Sequence, residues 1–95
     1  MNTYYILFYK TDDDFIEQRK PFRTNHLQIV KQGLEDGTLI MGGALDEPAD
    51  EAIIVFKDKT SAETFAANDP YVKNGLIKKW EIRPWKVFTK ESNFT

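Results

Sequence analysis

The chain has 95 residues, with 13 lysines and arginines set against 15 aspartates and glutamates for a net charge of −2. That length supports one domain around one core, and a near-balanced charge offers no general attraction for a phosphate backbone, so nucleic acid is not an expected partner. There is no cysteine, which excludes a disulfide framework and a thiolate metal site; with no signal-type start and no apolar run near 18 residues, the expectation is a cytoplasmic protein without a membrane partner.

Thr3 to Lys10 is rich in aromatic and β-branched residues, and both parities are apolar: Tyr4, Ile6 and Phe8 on one side, Tyr5, Leu7 and Tyr9 on the other. This predicts a strand covered on both faces. Asp12, Asp13 and Asp14 end it with a turn-forming acidic cluster ahead of a helix. The helix is firm from about Pro21, which a first turn tolerates, to Asp36, with Gly37 as a left-handed stop. At 100° per residue Phe22, His26, Leu27, Ile29, Val30, Gly33 and Leu34 share one apolar arc.

Thr38 to Leu45 reads as a second strand, where Gly42 and Gly43 suggest a bulge or a close backbone approach. After the loop Asp46–Asp50, Ala52 to Phe56 is again apolar on both parities, as an interior strand would be. Thr60, Ser61, Ala62 and Glu63 match a capping box, with Thr60 as N-cap of a second helix that stops near Asn68 because the residue before Pro70 is pushed out of helical geometry. Pro70 to Gly75 reads as a short turn. Ile77 to Arg83 is a mixed, charged strand suited to an edge, and Pro84 to Phe88 continues it; Lys90 to Thr95 reads as a frayed tail.

Two central strands, two edge strands and two crossover helices predict an α+β domain of ferredoxin-like βαββαβ topology, strand order 4-1-3-2, with both helices on one sheet face. Strands one and three carry apolar side chains toward the other face as well. A bare face of that kind exceeds the few hundred Å² of apolar patch that a monomer tolerates. A second copy packed sheet to sheet, a dimeric α+β barrel, is the expected cover, with larger oligomers built from the dimer left open.

His26 is the only histidine. Inside an apolar arc it is either a core histidine satisfied by one hydrogen bond or a general acid/base, since imidazole titrates near physiological pH. A single histidine makes a poor metal site, and none is expected. Asp69, before Pro70, is either the N-cap of the following turn or a carboxylate that orients the imidazole. Arg23, one turn before His26, is either a surface cation or an anchor for a substrate carboxylate. Gly42 and Gly43 either permit a strand distortion or let a substrate approach the backbone. Tyr5, Tyr9 and Trp80 read as core or dimer-interface aromatics, and Lys73, Lys78, Lys79, Arg83 and Lys86 as a solvated basic face.

Arg23-Thr24-Asn25-His26-Leu27, Gly37-Thr38-Leu39, Gly42-Gly43-Ala44-Leu45, Asp69-Pro70-Tyr71-Val72 with Gly75-Leu76, and Glu81-Ile82-Arg83-Pro84-Trp85 together resemble the YCII-related (YciI-like) family from Tyr4 to Trp85. The Asp-Pro-aromatic and Arg-Pro-Trp pieces are the more specific. The resemblance implies a dimeric α+β barrel with a histidine and aspartate pair, mapping onto His26 and Asp69. It also implies elimination, dehalogenation or isomerisation of small, often ring-derived acids without a cofactor. Thr24 and Ala44 stand where the family often has proline, which alters the local shape of the pocket.

The expected function is therefore a cofactor-independent acid/base enzyme acting on a small anionic metabolite, with His26 moving the proton, Asp69 fixing its tautomer, Arg23 anchoring the anion and Gly42 and Gly43 lining the pocket. Its rivals are a non-catalytic ligand-binding or regulatory dimer whose cavity holds a metabolite, and a structural reading in which His26 and Asp69 are only core and cap. An imidazole and a carboxylate within hydrogen-bond reach at the wall of a cavity would separate the first two from the third.

Overall fold

The computed structural model describes residues 2–92. Four strands, β1 (Asn2–Thr11), β2 (Leu39–Ala44), β3 (Glu51–Phe56) and β4 (Ile77–Val87), form one antiparallel sheet in the order β2-β3-β1-β4. This is the 4-1-3-2 order of the ferredoxin-like fold, with the two strands that are apolar on both parities at its centre. Alternation along β1 puts Leu7, Tyr9 and Thr11 in the interior, and their partners across β3, Ile54 and Ala52, lie on the same face.

The helical side begins irregularly. A one-turn helix α1 (Phe15–Gln18) and a 3₁₀ turn (Lys20–Phe22) precede α2 (Arg23–Asp36), so Pro21 sits in the 3₁₀ turn, where its missing N–H costs little. Gly37 ends α2 in the left-handed region at φ 76°, a conformation that glycine adopts without the Cβ clash of other residues. Ile29 and Val30 pack on the sheet, whereas Leu27 and Leu34 are about half exposed. The apolar arc is thus narrower than the sequence suggests, because α2 touches the sheet with only its inner edge.

α3 (Lys59–Asn68) lies on the same face, burying Ala62, Phe65 and Ala66 against Leu7 and Phe56; full burial of a side chain the size of leucine or phenylalanine contributes roughly 1.5–3 kcal/mol. Its N-cap is Asp58 rather than Thr60: the Asp58 carboxylate accepts from Ser61 N at 2.7 Å, and that bond holds its pKa below the usual carboxylate range. The capping pattern therefore starts two residues earlier, and aspartate takes the helix N-terminus, where negative charge is favoured. Pro70–Lys73 forms a further single turn, α4, capped by Asp69.

The irregularity of β2 lies between Leu39 and Met41, not at the glycines, which pair regularly with Ile54 and Ile53. Lys78 is paired with Asp13 at 2.7 Å rather than merely solvated. On the far face, Tyr4, Ile6 and Phe8 adjoin Ile53, Val55, Met41 and Trp85 through the strand register, and Met41 and Trp85 are 62% and 45% exposed. Trp80, opposite Tyr9 on the helix side, is 41% exposed at the β4 edge. Of the expected tail, residues 93–95 lie outside the described residues, and Ser92 N closes a turn on Thr89 O. Among the described residues no helix is long and apolar enough to cross a membrane.

Candidate active site

The site is built around a carboxylate that a local rule already orients. Asp69 precedes a proline, so its backbone is extended (φ −67°, ψ 121°). From there its side chain folds back to accept from Tyr71 N at 3.0 Å, capping α4. The same Oδ1 takes the Nδ1–H of His26 at 2.9 Å, and Oδ2 accepts from the Tyr9 hydroxyl at 2.8 Å. Asp69 is wholly buried, and three elements of distant sequence, β1, α2 and α4, converge on it. Cap and imidazole partner, alternatives in the sequence, are one and the same carboxylate.

Because Asp69 is the acceptor for all three donors, Nδ1 of His26 carries the proton and Nε2 of the neutral ring is left with the lone pair. Nε2 has no hydrogen-bond partner among the described residues. The ring is clamped on its faces: Tyr71 stacks at 3.9 Å and 11°, and Phe65 meets it edge-on at 6.1 Å. Burial pushes the Tyr9 phenol far above its ordinary pKa, and the neighbouring Asp69 charge pushes the same way. Tyr9 is therefore a fixed neutral donor that holds the outer oxygen of the carboxylate.

His26 opens on a cavity of about 200 Å³ between α2 and the sheet, the space of roughly six or seven water molecules. Leu27, Val30, Leu39, Ala52 and Ile54 make its apolar wall, and Arg23, Gly42 and Gly43 also line it. A Cβ on Gly42 would press on Ile54 Cγ2 at 3.2 Å, whereas one on Gly43 would meet nothing within 4 Å. Glycine at 42 thus serves strand packing, while a side chain at 43 would find open space. The hollow lies within one chain, on the helix side of the sheet.

Tyr9, Tyr71, Phe15 and Arg19 also belong to the site and were not singled out for it in the sequence. Phe15, Arg19 and Arg23 recur every four residues, the one local signal that could have added Arg19. Tyr71 stands in the Asp-Pro-aromatic motif; Tyr9 shares its strand parity with Leu7, which marks it as inward-facing but says nothing of a carboxylate 60 positions away. Among the described residues no group of three or more histidine, aspartate or glutamate side chains is placed to hold a metal ion.

A family model for the YCII-related domain matches residues 3–86. A Haemophilus influenzae protein of uncharacterised function is 30% identical over 94 residues, covering 87% of this chain and 96% of its own. Among solved structures, a 5-chloro-2-hydroxyhydroquinone dehydrochlorinase from Burkholderia phenoliruptrix, in complex with 2,5-dihydroxybenzoquinone, superposes with a TM-score of 0.72 at 17% identity over 87% of this chain and 93% of that one. A NIPSNAP family protein from Agrobacterium tumefaciens gives 0.56 at 19% identity, over 98% of both chains. At these identities the two structures speak for the fold alone, an antiparallel α+β sheet with its helices on one face.

Proposed function

This chain belongs to the YCII-related family, and from that premise we propose that it is a cofactor-independent acid/base enzyme of lyase, dehalogenase or isomerase type acting on a small anionic or ring-derived metabolite. The observation that carries the reading is the 2.9 Å contact of His26 Nδ1 with the fully buried Asp69, at the wall of a cavity. A merely structural pair has no need of a hollow on the far side of the ring. The dehydrochlorinase of the same fold supports the reaction class.

The chemistry needs only a proton and an electron pair. Nε2 of His26 takes a proton from a substrate carbon. The freed C–H pair either forms a double bond and expels a leaving group from the adjacent carbon, as an anion, or enters a conjugated carbonyl, after which the imidazolium returns the proton at another carbon. Asp69 stabilises the imidazolium and fixes the tautomer, as the third member of a hydrolase triad does. Arg23 anchors the anionic group, and Gly42 and Gly43 bound the space in which the skeleton lies. The protein acts as a homodimer in this reading: Tyr4, Ile6, Phe8, Ile53 and Val55, with Met41 and Trp85, form the face that a second copy covers.

The test is His26→Ala against a panel of halogenated hydroxyquinols, small lactones and enolisable acids. Loss of a wild-type turnover by about 10²–10⁴-fold, with an unchanged circular dichroism spectrum, is the expected result. Full turnover in that variant would remove the proposal. Undiminished ligand affinity in His26→Gln, with no turnover of any panel member by the wild type, would favour a binding or regulatory dimer instead.

A further inference from the structure

Tyr71 is 3% exposed, and among the described residues nothing accepts its hydroxyl proton. Burial pushes the phenol pKa up, the Arg23 and Arg19 charges pull against it, with Arg23 also aimed at the phenol oxygen as a donor, and Asp69 adds to the rise. Guanidinium groups donate and never accept, so neither arginine can take the hydroxyl proton. A buried donor left in this way costs on the order of 1–3 kcal/mol, and it persists here beside two cations.

Neither arginine is matched by a carboxylate within the chain, Arg19 being half-buried and Arg23 open to solvent. None of the ion pairs among the described residues includes Arg19 or Arg23, and the cavity they line presents no aspartate or glutamate side chain. Arg19 instead lies over the Phe15 ring, 5.5 Å from its centroid, and Phe15 meets Tyr71 edge-on at 5.3 Å. Two positive charges and a hydroxyl whose proton lacks an acceptor thus share a cavity whose remaining wall is mostly hydrocarbon.

We infer that Arg19, Arg23 and the Tyr71 hydroxyl together form a receptor for a carboxylate, so that the substrate is a compact organic acid with its carboxylate at these groups and its carbon skeleton along Leu27, Val30, Leu39 and Ile54. A carboxylate supplies what the three groups lack: acceptor oxygens for a planar guanidinium fork and for an O–H, with a negative charge to offset two positive ones. The cavity, at about 200 Å³, limits the skeleton to about one ring. The inference deepens the acid/base reading, because the same placement sets a carbon of the acid before Nε2 of His26, but the binding itself does not depend on catalysis.

Benzoate is the probe, titrated by calorimetry at low salt into the wild type, Arg19→Gln, Arg23→Gln, Tyr71→Phe and His26→Ala, with phenol and inorganic phosphate as comparators. Saturable benzoate binding is expected, weakened about tenfold or more by each arginine substitution, as the loss of a charge-assisted contact implies. Tyr71→Phe keeps both ring contacts, so a several-fold loss there reports the hydroxyl alone. No saturable benzoate binding, unchanged affinity in both arginine variants, or tighter binding of phosphate or phenol than of benzoate would each overturn the inference. Arginine variants that lose benzoate while His26→Ala keeps full turnover would leave this subsite standing and sink the acid/base reading; the converse pattern would do the opposite.

Discussion

Replacing Asp69 tests whether one carboxylate joins fold and site. In Asp69→Ala the Tyr9 hydroxyl, 2% exposed, loses its acceptor, which costs roughly 1–3 kcal/mol for a buried unsatisfied donor. The Tyr71 N–H loses its cap, another ~1 kcal/mol. His26 Nδ1 adds less, since that side chain is 14% exposed and can turn toward water. The sum, about 2–4 kcal/mol, is a large part of the 5–14 kcal/mol expected for a chain of this length. For a domain of this size it lowers Tm by ~10–30 °C.

Asp69→Asn separates charge from shape. The asparagine carbonyl still accepts from Tyr71 N and His26 Nδ1, and its amide group faces Tyr9, whose hydroxyl can rotate to accept. Only the Tyr9 proton is then left without an acceptor, so the stability cost should be about 1–3 kcal/mol and smaller than that of the alanine variant, while the charge that steadies the imidazolium is gone and any turnover falls as for loss of an acid/base group. Thermal and urea unfolding of the two variants beside wild type give the comparison. An Asp69→Ala variant melting within about 4 °C of wild type, or an Asn variant as unstable as the Ala one, would refute the claim that hydrogen bonds to this carboxylate hold the three elements together.

Tyr9 makes a prediction at high pH. Burial raises its folded pKa above the ordinary value of 10.0, so above pH ~10 the unfolded chain sheds a proton that the native state keeps, and stability falls by about 1.4 kcal/mol per pH unit from this residue. Tyr9→Phe should be less stable at neutral pH, yet lose stability more slowly from pH ~10 upward; parallel curves from urea unfolding across that range would count against it. The open sheet face predicts a dimer by light scattering. Met41 and Trp85 are already exposed in one chain, so Met41→Glu with Trp85→Glu should yield a folded monomer, and a wild type that is monomeric without them changed would remove the partner sheet, which needs about 800 Å² from each copy.

The layout of the sheet was legible because its signals are local. Apolar residues on both parities marked β1 and β3 as central, Gly37 marked the end of α2, and Pro70 marked the end of α3. Where two local rules competed, pattern matching chose the wrong one: Thr60 and Glu63 form a plausible box, but Asp58 reaches Ser61 N with a charged oxygen and captures the helix start. The exposure of Leu27 and Leu34 was hidden because periodicity gives the direction of an arc and not how far a neighbouring sheet extends beneath it. His26 and Asp69 could be named as candidates from residue type and from the family motifs. Their pairing could be expected only through the family resemblance, since 43 positions separate them and no local pattern says that α2 and α4 will close the gap.

The placement of Asp69 explains how so small a chain can hold an imidazole accurately. The backbone before Pro70 has little freedom, and the α4 cap fixes the carboxylate rotamer by a bond two residues away, so its orientation is set before the long-range partners arrive. Tyr9 and His26 then bind to a group that is already aimed, and ordering them costs less than assembling three mobile side chains at once. The arrangement also ties affinity to fold. Whatever loosens α4 releases Tyr71 from the imidazole and Asp69 from Nδ1 together, so a ligand that occupies the cavity should raise Tm through both contacts and not through the cavity wall alone.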